Sequence, residues 1–176
     1  MKHIFLTGQV QVGKSTLINK FIEHIPAEDI GGFRTVSVFG TVPDALAGVY
    51  ICRGTEPPVC DGAHCVGVRL GKGRGFVGHP EVFENAGVAT LADNGGKKLL
   101  LMDELGTMEN DAVAFRSAVL AALDGDIPII GVIKPKKNPL LDAIRDHQRV
   151  YVIEVNEENR DSLLPVIKEI MADNGL

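Results

Sequence analysis

The sequence predicts a three-layer α/β fold with a mainly parallel sheet and an antiparallel insert at one edge. Segments with strand periodicity alternate with segments of helical periodicity along most of the chain. Two segments, residues 97–103 with the continuous apolar run LLLM and residues 127–133, which are almost entirely apolar, are typical of strands buried on both faces of a parallel sheet. A glycine-bounded loop, residues 8–15, connects the first predicted strand to the first predicted helix.

The spacing of apolar residues places the elements in order along the chain. Strands are predicted at residues 2–7, 33–39, 46–51, 64–70, 97–103, 127–133 and 149–155. Helices are predicted at residues 14–25, 80–93, 109–123, 140–145 and 161–171. In the helix at 109–123, the residues expected to face the core are Val113, Phe115, Val119, Leu120 and Leu123.

The glycine-rich stretch at residues 52–79 is the least predictable part of the chain, and only the strand at 64–70 is expected within it. We expect residues 33–79 to form the edge insert. With 176 residues and ordinary proportions of hydrophobic (45%) and charged (23%) residues, the whole chain, residues 1–176, is expected to be a single domain.

Composition narrows the classes of function. The net charge of −5 argues against bulk binding to nucleic acid or to anionic membranes. No run of about 18 uncharged apolar residues is present, so no transmembrane helix is expected. The opening residues MKHIFLTGQV do not resemble a secretory signal, and three cysteines do not make a disulfide framework. We therefore expect a cytoplasmic protein whose protein partners, if any, the sequence does not reveal.

The sharpest motif is the loop itself, which matches the phosphate-loop pattern G-x-x-x-x-G-K-[ST] at every fixed position. Its glycines permit close approach of the backbone, and its amides form a nest for anions at the start of a helix. Lys14 is expected to reach the β- and γ-phosphates of a nucleotide, and the Ser15 hydroxyl to ligate Mg²⁺. The predicted nucleotide-binding residues are Gly8, Gln9, Val10, Gln11, Val12, Gly13, Lys14, Ser15 and Thr16.

Four apolar residues, 99–102, are followed by two carboxylates, Asp103 and Glu104, at the carboxyl end of the predicted strand, where ligands bind in open α/β sheets. Asp103 is predicted to hold Mg²⁺ directly or through water, and Glu104 to polarise a water for attack on the γ-phosphate. Because neighbouring residues of a strand alternate, the two side chains are expected on opposite faces. The run also fits the D-x-x-G of a GTPase, but no Asn-Lys-x-Asp motif follows to read guanine.

Four segments together carry a family resemblance: TGQVQVGKSTL, GGFRT, LLLMDELGTME and NEENRDSLLPVI. In this order they resemble the small P-loop nucleoside-triphosphatases, which include the cancer-related nucleoside-triphosphatase and its archaeal and bacterial relatives. The resemblance implies a RecA-like P-loop fold and slow, Mg²⁺-dependent hydrolysis of ATP, GTP and other nucleoside triphosphates to diphosphates. The chain departs from the family pattern at residues 36–39, 47–50 and 107.

Other residues leave alternatives open. A cation should neutralise charge on the γ-phosphate, and the candidates are Arg34, Arg69, Lys72, Arg74 and Lys134. Arg160 either packs against the base or forms a salt bridge at a helix start. Cys52, Cys60, His64 and Cys65 are either a zinc site of unusual spacing or scattered thiols, the latter being favoured. A nucleotide-gated binding module and a nucleotide kinase remain alternatives to the hydrolase.

Overall fold

A computed structural model describes residues 1–71, 73–92 and 94–176. Its strands are β1 (His3–Thr7), β2 (Ile30–Phe39), β3 (Ala47–Arg53), β4 (Cys65–Arg69), β5 (Phe76–Gly78), β6 (Leu99–Leu105), β7 (Ile129–Ile133) and β8 (Val150–Glu154). Its helices are α1 (Lys14–Ile22), α2 (Pro80–Val82), α3 (Val88–Ala92), α4 (Val113–Asp124), α5 (Pro139–Asp146) and α6 (Leu163–Ala172). A short 3₁₀ turn covers Ala27–Asp29, and a π-helical turn, Phe83–Gly87, separates α2 from α3.

The described strands form one eight-stranded sheet in the order β5-β4-β3-β2-β6-β7-β1-β8. All pairs from β2 to β8 in this order are parallel, and β3, β4 and β5 continue the sheet beyond β2 as antiparallel strands. The predicted α/β class, the mainly parallel sheet and the antiparallel edge insert are therefore confirmed. The two apolar runs become β6 and β7, which lie side by side in the middle of the sheet.

Several elements differ from the sequence prediction in extent. Strand β2 begins at Ile30 rather than at residue 33, because residues 30–34 pair in parallel with β6 along one edge. Residues 33–39 pair in antiparallel with β3 along the other edge. Strand β5 was not expected from the glycine-rich sequence; its pairing with β4 holds it in the sheet. The helix predicted at 80–93 is divided by the π-helical turn, and residue 93 lies outside the described residues.

Helix α4 begins four residues later than predicted, and this corrects the orientation of Val113. As the first residue of the helix, Val113 is 63% exposed instead of facing the core. Phe115, Val119 and Leu123 are fully buried as expected, and Leu120 is partly buried against the same core.

Two apolar cores lie on the two faces of the sheet and complete the three layers. On one face, α4 and α5 pack over β6 and β7, and the Phe115 ring lies 5.1 Å from Phe33 and 5.0 Å from Phe83. On the other face, α1 and α6 pack over β1 and the same central strands. No helix among the described residues is both long enough and apolar enough to cross a membrane.

Candidate active site

A cavity of about 810 Å³ opens where β1, β6 and β7 end and α1 begins. Residues from four separate parts of the chain line it: the loop after β1, the edge insert, the carboxyl end of β6 and the carboxyl end of β7. This position, at the carboxyl ends of parallel strands, is where open α/β sheets bind ligands.

The loop after β1 needs glycine at both of its ends. Gly8 has φ +133°, and a Cβ there would lie 2.3 Å from the carbonyl oxygen of Val155. Gly13 has φ +111°, a left-handed conformation, and its carbonyl accepts the first helical hydrogen bond from Leu17 N at 3.0 Å. The loop therefore turns tightly against the segment after β8 and leads directly into α1.

Lys14 is buried and bridges the loop from within. Its Nζ donates to the carbonyl oxygen of Gly8 at 2.9 Å and to that of Gln9 at 2.6 Å. Burial lowers the pKa of Lys14, whereas the Glu104 and Asp103 carboxylates oppose that shift. The ammonium thus lies within electrostatic range of both acids.

The remaining loop residues divide between the cavity and the core. Val10, Gln11, Gly13, Ser15 and Thr16 line the cavity together with Lys14. Val12 is instead buried in the core that α1 shares with β1. This packing attaches the loop to the core.

Asp103 and Glu104 both line this cavity, so the prediction that they face opposite sides of the sheet is wrong. The pairing of β6 with β7 shifts between Asp103, opposite Val132, and Leu105, opposite Ile133. Glu104 is therefore the extra residue of an irregularity that interrupts strand alternation. Burial and the adjacent Glu104 carboxylate raise the pKa of Asp103 to about 6, against the opposing effects of Arg34 and Lys14.

Lys134 follows β7 and reaches the same cavity. Its Nζ lies 3.9 Å from Glu104 Oε2, and its backbone N–H donates to the carbonyl oxygen of Leu105 at 2.9 Å. The lysine therefore adds a second positive charge close to the two carboxylates.

The candidate arginines differ in their position relative to the cavity. Arg69, on β4, lines the cavity. Arg74 does not, and its Nε donates to the carbonyl oxygen of Gly71 at 3.2 Å.

Arg160 is exposed and flanks the phosphate loop, since a Cβ on Gly13 would lie 3.6 Å from Arg160 Cδ. Arg34, paired with Asp103 across β2 and β6, donates to the carbonyl oxygens of Thr55 and Glu56. Lys72 lies outside the described residues.

Comparison with known proteins shows the family to which this chain belongs. A family model described as NTPase matches residues 3–168, which is nearly the whole chain. The chain belongs to the NTPase family.

Individual relatives of this NTPase agree over the same length. The nucleoside-triphosphatase THEP1 of Thermotoga petrophila is 30% identical over 172 residues, which cover 97% of this chain and 93% of the relative. The crystal structure of THEP1 from the hyperthermophile Aquifex aeolicus matches with a TM-score of 0.69 and 25% identity, covering 95% of this chain and 96% of that one. The solution structure of a human cancer-related nucleoside triphosphatase matches with a TM-score of 0.68 and 30% identity, covering 98% of each chain.

These matches confirm the resemblance that the sequence motifs indicated, and with it the P-loop fold. The NTPase is an enzyme that hydrolyses nucleoside triphosphates.

All three cysteines of the NTPase, Cys52, Cys60 and Cys65, are free thiols. Cys52 and Cys65 are buried, and burial raises the pKa of the Cys52 thiol, whereas Cys60 is exposed. The His64 ring pairs with Asp61, Nδ1 to Oδ1 at 2.7 Å, rather than with a thiol. No group of three or more His, Cys, Asp or Glu side chains among the described residues is arranged to hold a metal ion.

Sequence reasoning missed two buried polar residues beside the cavity, Glu109 and Asn138. Glu109 is fully buried, and its Oε1 accepts a hydrogen bond from Gly106 N. Asn138 Nδ2 donates to the carbonyl oxygen of Gly106 at 2.6 Å. The Asn-Pro pair at a helix start is a capping signal that could have located Asn138. Glu109 had no signal beyond its place at the end of the LLLMDELGTME segment.

Proposed function

We propose that this NTPase hydrolyses ATP, GTP and other nucleoside triphosphates in a Mg²⁺-dependent reaction, through attack of water on the γ-phosphate. One observation carries the proposal: a single cavity is lined by Lys14 and Ser15 from the phosphate loop and by Asp103 and Glu104 from β6. These are the phosphate-binding and the acidic halves of a phosphoryl-transfer site.

The phosphate loop would bind the triphosphate. Lys14 Nζ now donates to the carbonyls of Gly8 and Gln9, and phosphate oxygens offer it stronger, charge-assisted acceptors. Backbone amides at the start of α1 add partial positive charge. Thr16, one residue further into the helix and also lining the cavity, would contact the α-phosphate.

The oxygen donors at the acidic end fit Mg²⁺, which prefers carboxylate, hydroxyl, water and phosphate ligands. Asp103 is a largely buried carboxylate beside a second carboxylate. A cation at that point would offset both the cost of burying the Asp103 charge and its repulsion from Glu104. Ser15 and Asp103 would hold the ion, Asp103 directly or through water. When bound, Mg²⁺ would neutralise charge on the β- and γ-phosphates.

Glu104 would act as the base. As water attacks, its oxygen bonds to the γ-phosphorus, the bond from that phosphorus to the β–γ bridging oxygen breaks, and Glu104 accepts the proton that water loses. Lys134, 3.9 Å from Glu104, and Arg69, on the wall formed by the insert, would offset negative charge on the reacting phosphate. Arg160, close to Gly13, would flank the nucleoside.

The test measures phosphate release from ATP, GTP, CTP and UTP with Mg²⁺ or with excess chelator. Turnover of several nucleotides, abolished by chelator, is expected. Glu104→Gln is expected to lower kcat by about 10²–10⁴-fold while nucleotide binding is retained. Glu169→Gln, an exposed carboxylate on α6, is the matched control.

Full turnover in chelator would contradict the metal dependence, and full turnover of Glu104→Gln would contradict its role as base. Nucleotide binding with no turnover of any substrate would support the nucleotide-gated binding module instead.

A further inference from the structure

A buried acid lies just behind the cavity. Glu109, in the turn between β6 and α4, is 0% exposed. One carboxyl oxygen accepts a hydrogen bond from Gly106 N, and the other, Oε2, is buried with no hydrogen-bond partner among the described residues. Burial raises the pKa of Glu109, although the Gly106 bond opposes the shift. Burying such a group costs free energy, so its presence calls for a function beyond packing.

Asn138 holds the same residue, Gly106, through its carbonyl group. Asn138 Nδ2 donates to the Gly106 carbonyl at 2.6 Å, while its Oδ1 accepts from Leu141 N at 2.7 Å and caps α5. Gly106 is thus clamped between the turn that contains Glu109 and the start of α5.

Gly106 in turn supports Lys134. A Cβ at position 106 would lie 2.6 Å from Lys134 Cδ, so the lysine side chain passes directly over the glycine. The end of that side chain lies 3.9 Å from Glu104 Oε2. A continuous series of contacts therefore connects Glu109 to Glu104, through Gly106 and Lys134.

We propose that Glu109 is a positioning residue for hydrolysis: by fixing Gly106, it holds the Lys134 side chain and the Glu104 carboxylate in place for attack on the γ-phosphate. The proposal rests on the proposed roles of Glu104 and Lys134. Glu104 sits at an irregularity of β6, where the ladder to β7 does not fix its direction. Contacts from the following turn must supply that constraint, because displacement of a catalytic group by about 1 Å can lower turnover by about 100-fold.

Two substitutions of Glu109 separate positioning from folding. Glu109→Gln keeps an oxygen that accepts from Gly106 N, whereas Glu109→Met keeps the approximate volume and removes the acceptor. We expect the methionine variant to lower kcat by about 100-fold with KM changed by no more than about threefold, and the glutamine variant to restore most of kcat.

The matched control is Glu84→Met. Glu84 also accepts backbone hydrogen bonds, from Ala114 N at 2.8 Å and Phe115 N at 3.2 Å at the start of α4, but it does not line the cavity. Its loss should lower Tm and leave kcat unchanged.

A folded Glu109→Met variant with wild-type kcat would overturn the proposal, as would equal losses of kcat in the methionine and glutamine variants. If the methionine variant fails to fold, Gly106→Ala provides the test, because its methyl group displaces the Lys134 side chain and leaves both clamp bonds available. We expect lowered kcat with retained nucleotide binding, and unchanged kcat would overturn the proposal. Loss of turnover in Glu104→Gln together with normal turnover in the position 109 and 106 variants would reject this inference and leave the proposed function intact.

Discussion

Lys134 Nζ lies 3.9 Å from Glu104 Oε2, across the carboxyl ends of the neighbouring strands β7 and β6. Both side chains are about one-third exposed, at 30% and 33%, and both line the cavity that contains Lys14. A partly exposed ion pair contributes little to stability, so we interpret this pair through its effect on the reacting phosphate.

Replacing Lys134 by methionine is expected to lower kcat by about 100-fold, because a positive charge is lost where negative charge grows on the phosphate. Lys136→Met, at an exposed position in the same loop, should keep wild-type kcat. Steady-state phosphate release over a range of nucleotide concentrations measures both. Equal kcat in the two variants would exclude a role for Lys134 in the chemical step.

Arg69 and Arg74 provide a second comparison, since both belong to the insert and only Arg69 lines the cavity. Arg69→Ala is expected to lower kcat by about 10³-fold, because its guanidinium would stabilise charge on the γ-phosphate as an arginine finger does. Arg74→Ala is expected to change kcat little. Single-turnover hydrolysis and nucleotide affinity should be measured together. A larger loss of kcat in Arg74→Ala would reverse the assignment.

The contribution of His3 to stability is expected to fall as pH drops below about 6.5, the ordinary pKa of histidine. The buried His3 ring accepts from Ile129 N through Nδ1 at 3.1 Å and donates through Nε2 to the carbonyl oxygen of Leu123 at 2.9 Å, so its neutral form is required. Burial lowers the pKa of His3, and nearby His147 and Arg149 lower it further.

Below pH 6.5 the unfolded chain binds a proton at His3, whereas the folded chain keeps the ring neutral. The free energy of unfolding therefore decreases as the pH falls from 6.5 to the lowered pKa of His3 in the folded state. Urea unfolding at several pH values measures this. His3→Gln should show a smaller loss between pH 7.5 and 5.5 than the wild type, and His24→Gln, an exposed histidine, should not. An identical pH dependence in His3→Gln and the wild type would contradict the assignment.

Two substitutions in helix α4 are expected to differ in their effect on stability, because one side chain lies in the core and the other is exposed. Phe115→Ala removes a fully buried ring that contacts Phe33 and Phe83, and should destabilise the protein by about 3–5 kcal/mol. Val113→Ala, two residues earlier and 63% exposed, should change stability by no more than about 0.5 kcal/mol. Chemical denaturation measures both, and a large effect at Val113 would mean that the side chain is covered.

The α/β class and the phosphate loop could be predicted because they depend on local information. Apolar runs reveal β6 and β7, since a strand buried on both faces needs no alternation. The loop from Gly8 to Ser15 is recognisable because two positions need glycine, one needs a long cation and one needs a hydroxyl at fixed spacing. The family resemblance rested on the same kind of short, ordered segments.

Local periodicity failed where contacts between distant segments decide the geometry. It placed Asp103 and Glu104 on opposite faces, but the shift in pairing with β7 brings both into the cavity. It also predicted that Val113 faces the core. In the structure, α4 begins at Val113 and the side chain is exposed.

By itself, the sequence determined the α/β class, the phosphate loop and the two acids at the end of β6, because each is a property of neighbouring residues. Only the tertiary structure decided which distant side chains join them. It brought Arg69 rather than Arg74 to the cavity, set Lys134 beside Glu104, and buried Glu109 against Gly106. These relationships depend on the order of the strands in the sheet and on contacts between the turns that follow different strands. The spacing of residues along the chain does not encode either of them.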